Sequence, residues 1–166
     1  MFGGLNMASK TQKAVKKTRV LVVDDHPLVR YALKQLLNNT PDLECCGEAD
    51  GVETARLAVK KHTPDFVLLD LSLGDGDGFE LITEWKRALP DMKVVVISRH
   101  DEVVYAERSL RVGADGFVTK EETPDEVLRS IRLVMGGRRY VSDKIAGQVM
   151  KRLAEWPSGK GREGIE

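Results

Sequence analysis

Five short runs of β-branched and apolar residues, each followed by a longer stretch with apolar positions three and four apart, leave this chain few folds to choose from. The runs are Val20-Leu21-Val22-Val23, Leu43-Glu44-Cys45-Cys46, Phe66-Val67-Leu68-Leu69, Val94-Val95-Val96-Ile97 and Gly116-Phe117-Val118-Thr119. The longer stretches predict helices at about 27–39, 51–62, 78–89, 102–112 and 124–136. Strands this uniformly apolar must be covered on both faces, which calls for a parallel sheet between two layers of helices. Right-handed crossovers then give an α/β, doubly wound, five-stranded parallel sheet.

Punctuation supports these elements. Pro27 and Pro124 suit a first helical turn, where the missing N–H would have had no intrahelical partner. Gly136-Gly137 marks a helix end. Beyond it, Arg138-Arg139-Tyr140-Val141 leads to Ser142 as a capping residue and to a sixth helix, with Ile145, Val149, Met150 and Leu153 on one side. Residues 1–17 read as a mobile leader, residues 18–137 as the domain, and residues 138–166 as a linker helix and tail.

Composition removes several function classes. Among the 166 residues, 26 Lys plus Arg balance 26 Asp plus Glu, so no net field draws the chain to nucleic acid or anionic lipid. No apolar run approaches the roughly twenty residues needed to cross a bilayer, and a cytoplasmic protein without membrane contact is expected. The only two cysteines, Cys45 and Cys46, are adjacent, a poor spacing for a disulfide framework or a tetrahedral metal site. Strand alternation should send them to opposite faces of the sheet.

In a doubly wound sheet, ligands bind beyond the carboxyl ends of the strands. The first strand ends in Asp24-Asp25, the third in Asp70, the fourth in Ser98 and the fifth in Lys120. Three carboxylates brought together would repel one another and drive one toward protonation, whereas a hard dication resolves the conflict. Mg²⁺ prefers oxygen ligands, commonly one or two carboxylates plus phosphate oxygens. Such an ion would keep Asp70 ionised as a nucleophile toward phosphorus, with Lys120 and Ser98 holding other oxygens of the transferring group. Each of these residues alone is a common strand-ending residue; their convergence on one sheet edge carries the argument.

From Arg19 to Gly137 the chain resembles a two-component response-regulator receiver, and its Val-Leu-Val-Val-Asp24-Asp25-His26-Pro27 opening resembles the NarL/LuxR-type subgroup. The resemblance implies a flavodoxin-like (βα)5 fold with Asp70 as phospho-acceptor. It implies Mg²⁺ bound directly by Asp25, through water by Asp24, and by the backbone carbonyl of Ser72. Ser98 matches the family's switch hydroxyl, Phe117 its rotating aromatic, and Lys120 its lysine. A sensor histidine kinase is the implied phosphoryl donor, pairing of phosphorylated copies and a changed interaction surface the implied response, and transcription control by the full-length protein the implied output. Trp85 and Tyr105 are candidates for partner surfaces or for packing. On this reading the domain is a signalling module that catalyses only its own phosphotransfer and slow dephosphorylation.

Two departures stand out. The loop after the acceptor reads D-L-S-L-G-D-G-D-G, with Gly74 and Gly76 where the family usually has a proline and an apolar residue, and should be looser. Asp75 and Asp77 lack the remaining ligands of a calcium loop and read as solvated turn carboxylates. Glu121 follows Lys120, so no cis-proline stands there. About twenty-nine residues follow Gly137, too few for a DNA-reading helix-turn-helix, so no direct DNA binding by this stretch is expected. The final Arg162-Glu163-Gly164-Ile165-Glu166 faintly resembles the opening of such a module, as if a longer chain had been shortened.

Two other functions fit less well. A phosphohydrolase of the haloacid-dehalogenase type would need an aspartate where Ser72 stands, and a binding-only relative would not need the whole residue set. His26 reads as a helix-start residue. Ser72 and His100, by the same family resemblance, tune water access and the rate of dephosphorylation. A role for His100 predicts an altered aspartyl-phosphate lifetime in His100→Ala; equal lifetimes in variant and wild type would remove it.

Overall fold

The computed structural model describes residues 16–99 and 103–155, without the side chain of Leu153. The elements run β1 (Thr18–Val23), α1 (Pro27–Asn38), β2 (Leu43–Ala49), α2 (Val52–His62), β3 (Phe66–Leu69), α3 (Gly78–Ala88), β4 (Lys93–Ser98), α4 (Val103–Arg111), β5 (Gly116–Thr119), α5 (Pro124–Met135), β6 (Tyr140–Val141) and α6 (Asp143–Glu155). The five long strands and first five helices fall where the sequence periodicity puts them. Every strand pairing is parallel, in the order β2-β1-β3-β4-β5-β6.

That order has one reversal: after β2 is laid on one side of β1, the chain crosses to add β3 on the other. The crevice between the carboxyl ends of β1 and β3 is the topological switch point, where doubly wound sheets bind ligands. Asp24-Asp25 and Asp70 flank it.

The sheet divides the interior into two apolar layers. Leu21, Val23, Val67, Leu69, Val94, Val96 and Phe117 face one side, with α2 and α3 residues such as Ala55, Leu81, Ile82 and Trp85. Val20, Val22, Phe66, Leu68, Val95, Ile97 and Val118 face the other, with Leu37 of α1 and Val127, Ile131 and Val134 of α5. Alternation along each strand accounts for the division. Trp85 is buried and Tyr105 half-buried against the first layer, so both serve packing. The cysteines obey the same rule: Cys46 packs on the first layer and Cys45 on the second. A register shift between Val20 and Leu21 lets β2 run one residue long there. Burial raises both thiols, Cys45 to about 11, so neither is a reactive thiolate near neutral pH.

The structure corrects the sequence reading beyond Gly137. Six strands, not five, make the sheet, because Tyr140–Val141 pairs in parallel with Gly116–Phe117. Two residues are too short for periodicity to register. The turn into this strand needs Gly137, whose φ of 90° is open to glycine at little cost. Tyr140 is buried, and its hydroxyl donates to Glu126 Oε2 at 2.6 Å, fastening the strand to α5. Ser142 begins α6 by accepting Ala146 N–H on its carbonyl, while its hydroxyl is buried without a hydrogen-bond partner among the described residues. It is therefore not the side-chain cap the sequence suggested.

Helix α6 lies on the domain. Ile145 is fully buried in the layer that contains Phe117 and Ala106, Val149 packs beside it, and Arg152 reaches Glu107 of α4. Met150 is exposed, so the apolar side drawn from the sequence is only partly used. Ile145→Ala should destabilise the protein by about 2–4 kcal/mol, as large-to-small core changes do. Met150→Ala should cost under about 0.5 kcal/mol; urea unfolding of both variants checks the contrast.

Candidate phosphoryl-acceptor site

Helix starts and strand ends build the crevice. Asp24 follows β1 and donates its N–H to the Ala49 carbonyl; Asp70 follows β3 and donates to the Val23 carbonyl. The ladder thus extends one residue past each strand and fixes both carboxylates inside the sheet edge, each only 1% exposed. Lys120 leaves β5 with its N–H on the Ser98 carbonyl, and its ammonium crosses to the crevice. Its Nζ lies 2.7 Å from Asp24 Oδ2 and 3.2 Å from Asp70 Oδ2. One cation is shared between two buried anions.

The two carboxylates respond oppositely. Burial pushes Asp24 up, but hydrogen bonds from Lys120 and from the His26 backbone outweigh it, and the net shift is downward. Burial also pushes Asp70 up; the Ser72 N–H on its Oδ1, at 3.0 Å, and Lys120 oppose this, while the neighbouring charge of Asp24 adds to it. Its net shift is upward. Asp24 therefore holds the ammonium more strongly, and Asp70 is the oxyanion short of positive charge.

Asp25 is the exposed member of the pair. Asp24, Asp25, His26 and Asp70 each offer one ligand atom, all within 4.8 Å of one another. The donor set suits a hard divalent cation: three carboxylates, two of them buried, with a charge that Lys120 alone does not balance.

Ser98 closes β4, fully buried, with Phe117 on the adjacent strand opposite Val96. Ser72 occupies the turn after Asp70 and donates its N–H to Asp70 Oδ1. His100 lies outside the described residues.

His26 reaches into the crevice with its side chain. Its place as the α1 N-cap, with Pro27 next, is as expected, but its side chain makes no capping bond. Instead its Nδ1 stands 2.8 Å from Asp24 Oδ1, 2.8 Å from Asp25 Oδ1 and 3.3 Å from Lys120 Nζ. The available signal was position: a residue between a strand-end carboxylate pair and a helix start must hang over the crevice.

The glycine-rich loop is also tied down. Asp75 accepts the Val52 N–H on both oxygens, at 2.8 and 3.1 Å, so it caps α2 from across the loop, and Asp77 caps α3 through Phe79 N–H. Both carboxylates are exposed, as turn residues at these positions should be, and each also caps a helix. Close approach accounts for Gly51 and Gly76, whereas nothing lies within 4 Å of a Cβ built on Gly74. A Cβ on Gly51 would stand 2.6 Å from Asp75 Oδ2, and one on Gly76 would stand 2.9 Å from Val52 Cγ2.

Residues 20–132 match the response regulator receiver domain family. The chain belongs to that family. It is 38% identical over 131 residues to the response regulator GacA of Pseudomonas viridiflava, covering 79% of this chain and 61% of that protein. To the response regulator UvrY of Escherichia coli it is 33% identical over 130 residues, covering 78% and 60%. The chain thus spans about three-fifths of these regulators. A LuxR-family two-component response regulator from Aurantimonas superposes with a TM-score of 0.79 at 28% identity, covering 84% of this chain and 99% of that one. The signal receiver domain of NarL from Mycobacterium tuberculosis gives 0.70 at 33% identity, covering 74% and 99%. The receiver is of the NarL/LuxR type, a signalling domain whose relatives are transcriptional response regulators. No described helix is long and apolar enough to cross a membrane.

The raised Asp70 carboxyl makes a stability prediction. A buried acid whose folded pKa lies above its ordinary value of 3.8 costs stability when ionised; that cost is full above the folded pKa and vanishes below 3.8. In magnesium-free buffer at pH 7, Asp70→Asn should raise Tm by about 3 °C, and the gap should close as the pH falls toward 3.8. Calorimetric melts across that range check it; a Tm below wild type at pH 7 would contradict the assignment.

Proposed function

We propose that Asp70 accepts a phosphoryl group from the phosphohistidine of a sensor kinase, with Mg²⁺ held by Asp25, Asp24, Asp70 and the Ser72 carbonyl. The observation that carries this reading is the arrangement at Lys120, where one ammonium joins an anchored carboxylate, Asp24, to an under-compensated one, Asp70. Bound there, Mg²⁺ would neutralise charge on the phosphoryl oxygens.

The protein's own groups do the rest. An Asp70 oxygen attacks phosphorus in line; the new P–O bond forms as the P–N bond to the kinase imidazole breaks, and the electron pair leaves with that imidazole. No general base is required, because the nucleophile is already an anion. Lys120 stays within reach of both carboxylates and accepts a phosphoryl oxygen as a partner when Asp70 gives up its charge. The Ser72 N–H holds one Asp70 oxygen and so orients the other. Burial of Asp24 and Asp70 excludes bulk water from the acceptor, while Ser72 and His100 control its later access.

Ser98, at the end of β4, would follow the phosphoryl group with its hydroxyl. Its movement would alter the space around Phe117, whose layer includes Ala106 of α4 and Ile145 of α6. Phosphorylation thus favours the state in which α4, β5 and neighbouring surfaces are rearranged, a population shift read by a partner or by a second copy. In the full-length protein this would control transcription, as in the relatives.

Incubation with acetyl phosphate and Mg²⁺ should add one phosphoryl group by intact mass, and Asp70→Asn should add none. Asp25→Asn should slow incorporation by about 10–100-fold, the range for losing a metal-site partner. Continuous phosphate release without a stable adduct would favour a hydrolase, and no adduct in wild type would favour a binding-only relative.

A further inference from the structure

Asp24 and Asp25 are held in different ways. Asp24 is buried, with its N–H on the Ala49 carbonyl and its carboxylate on Lys120. Asp25 has a side chain 36% exposed and meets the half-exposed ring of His26. Its direction therefore depends on the backbone at either side, and both flanking peptide units are pinned. After it, the His26 N–H donates to Asp24 Oδ1 at 2.8 Å. Before it, Arg30 of α1 donates from Nη1 to the Asp24 carbonyl at 2.7 Å. A peptide unit is planar, so fixing these two units fixes the direction in which the Asp25 Cβ leaves the chain.

The Arg30 side chain is itself set in place. It is 20% exposed, and its Nε lies 3.8 Å from Glu48 Oε1 on β2, whose Oε2 lies 3.6 Å from Lys34 Nζ. The start of α1 has no side-chain cap from His26 and no acidic residue in its first turn, so the turn between β1 and α1 is held from inside the helix by Arg30. Charge alone gives Arg30 no reason to be there. A cation one hydrogen bond from the backbone of the acidic pair opposes the approach of a dication. Geometry and charge therefore give opposite signs for the effect of removing it.

We propose that Arg30 is a positioning residue for phosphoryl transfer: by holding the Asp24 carbonyl it sets the Asp24–Asp25 peptide and aims the Asp25 carboxylate into the crevice. The inference rests on the reading of Asp70 as acceptor and of Asp25 as magnesium ligand. Arg30 touches neither the ion nor the phosphoryl group. Without its side chain the Asp24–Asp25 peptide is free to rotate, and each binding event has to order Asp25 again.

Mg²⁺ titrated calorimetrically into the full chain, and acetyl-phosphate labelling followed against Mg²⁺ concentration, test this. Arg30→Met keeps a long apolar stem for packing and removes both the donor and the charge. It should weaken Mg²⁺ binding by about tenfold, as loss of a group supporting a metal ligand does. The half-saturating Mg²⁺ for labelling should rise by the same factor, while the rate at saturating Mg²⁺ stays within about threefold of wild type, the split expected when binding and not chemistry is affected. Arg30→Lys keeps the charge without the guanidinium fork and should weaken Mg²⁺ binding by about threefold. Glu48→Gln removes the ion pair and leaves the carbonyl contact, so Mg²⁺ affinity should stay within about twofold of wild type. Mg²⁺ affinity in Arg30→Met equal to or above that of wild type overturns the proposal, as does an equal loss in Glu48→Gln. Asp25→Asn separates this inference from the reading beneath it. If Asp25→Asn loses Mg²⁺ binding and Arg30→Met does not, only the role of Arg30 falls. If Asp25→Asn binds Mg²⁺ as wild type does, the assignment of Asp25 as ligand falls, and the role of Arg30 with it.

Discussion

A single ammonium between two buried carboxylates is the constraint around which this domain is arranged. Leaving Asp24 and Asp70 unpaired at the sheet edge would cost several kcal/mol each by desolvation. Lys120 makes their burial tolerable only because β5 ends level with the crevice and its side chain spans β4 to reach it. The strand order therefore matters to the chemistry: β1 and β3 must be neighbours, and β5 must lie two places from β3. The apolar layers above and below hold those strand ends in register, so the hydrophobic core determines the positions of the charges. The balance is left incomplete at Asp70.

Much of this was legible in the sequence for a physical reason. A parallel sheet covered on both faces produces unbroken apolar strands, and covering helices produce a 3.6-residue period, so Val20–Val23 and the α1 stretch announce themselves. The strand-end residues Asp24, Asp25, Asp70, Ser98 and Lys120 could be assigned to one edge because topology alone gathers them there. Features that depend on tertiary approach were less readable. Tyr140–Val141 is a strand only because Gly116–Phe117 offers an open edge. Asp75 is a cap only because the α2 start lies across from it. His26 looked like a helix-start residue because its neighbours in the crevice come from three different strands, and no local pattern records that meeting.

The segment after α5 connects with the core more closely than a linker would. Phe117, Ala106 and Ile145 share one packed layer, and β6 is hydrogen-bonded to the strand that carries Phe117. Close-packed interiors transmit displacement because they contain little free volume. A change in the rotamer of Phe117 would therefore be felt by α4 and α6 together, and the carboxyl-terminal helix is mechanically continuous with the strand next to Ser98.

The clasp between the loop after Asp70 and α2 couples three positions. Asp75 can reach the Val52 N–H only while position 51 has no side chain, and the loop can lie against Val52 only while position 76 has none. Positions 51, 75 and 76 therefore form one spatial unit: without the aspartate, the α2 start would lose its cap and the close approach at Gly51 would have no cause. Gly51, Asp75 and Gly76 are thus one packed arrangement at the turn after Asp70, in which a side chain added at either glycine presses on the contact that the aspartate makes.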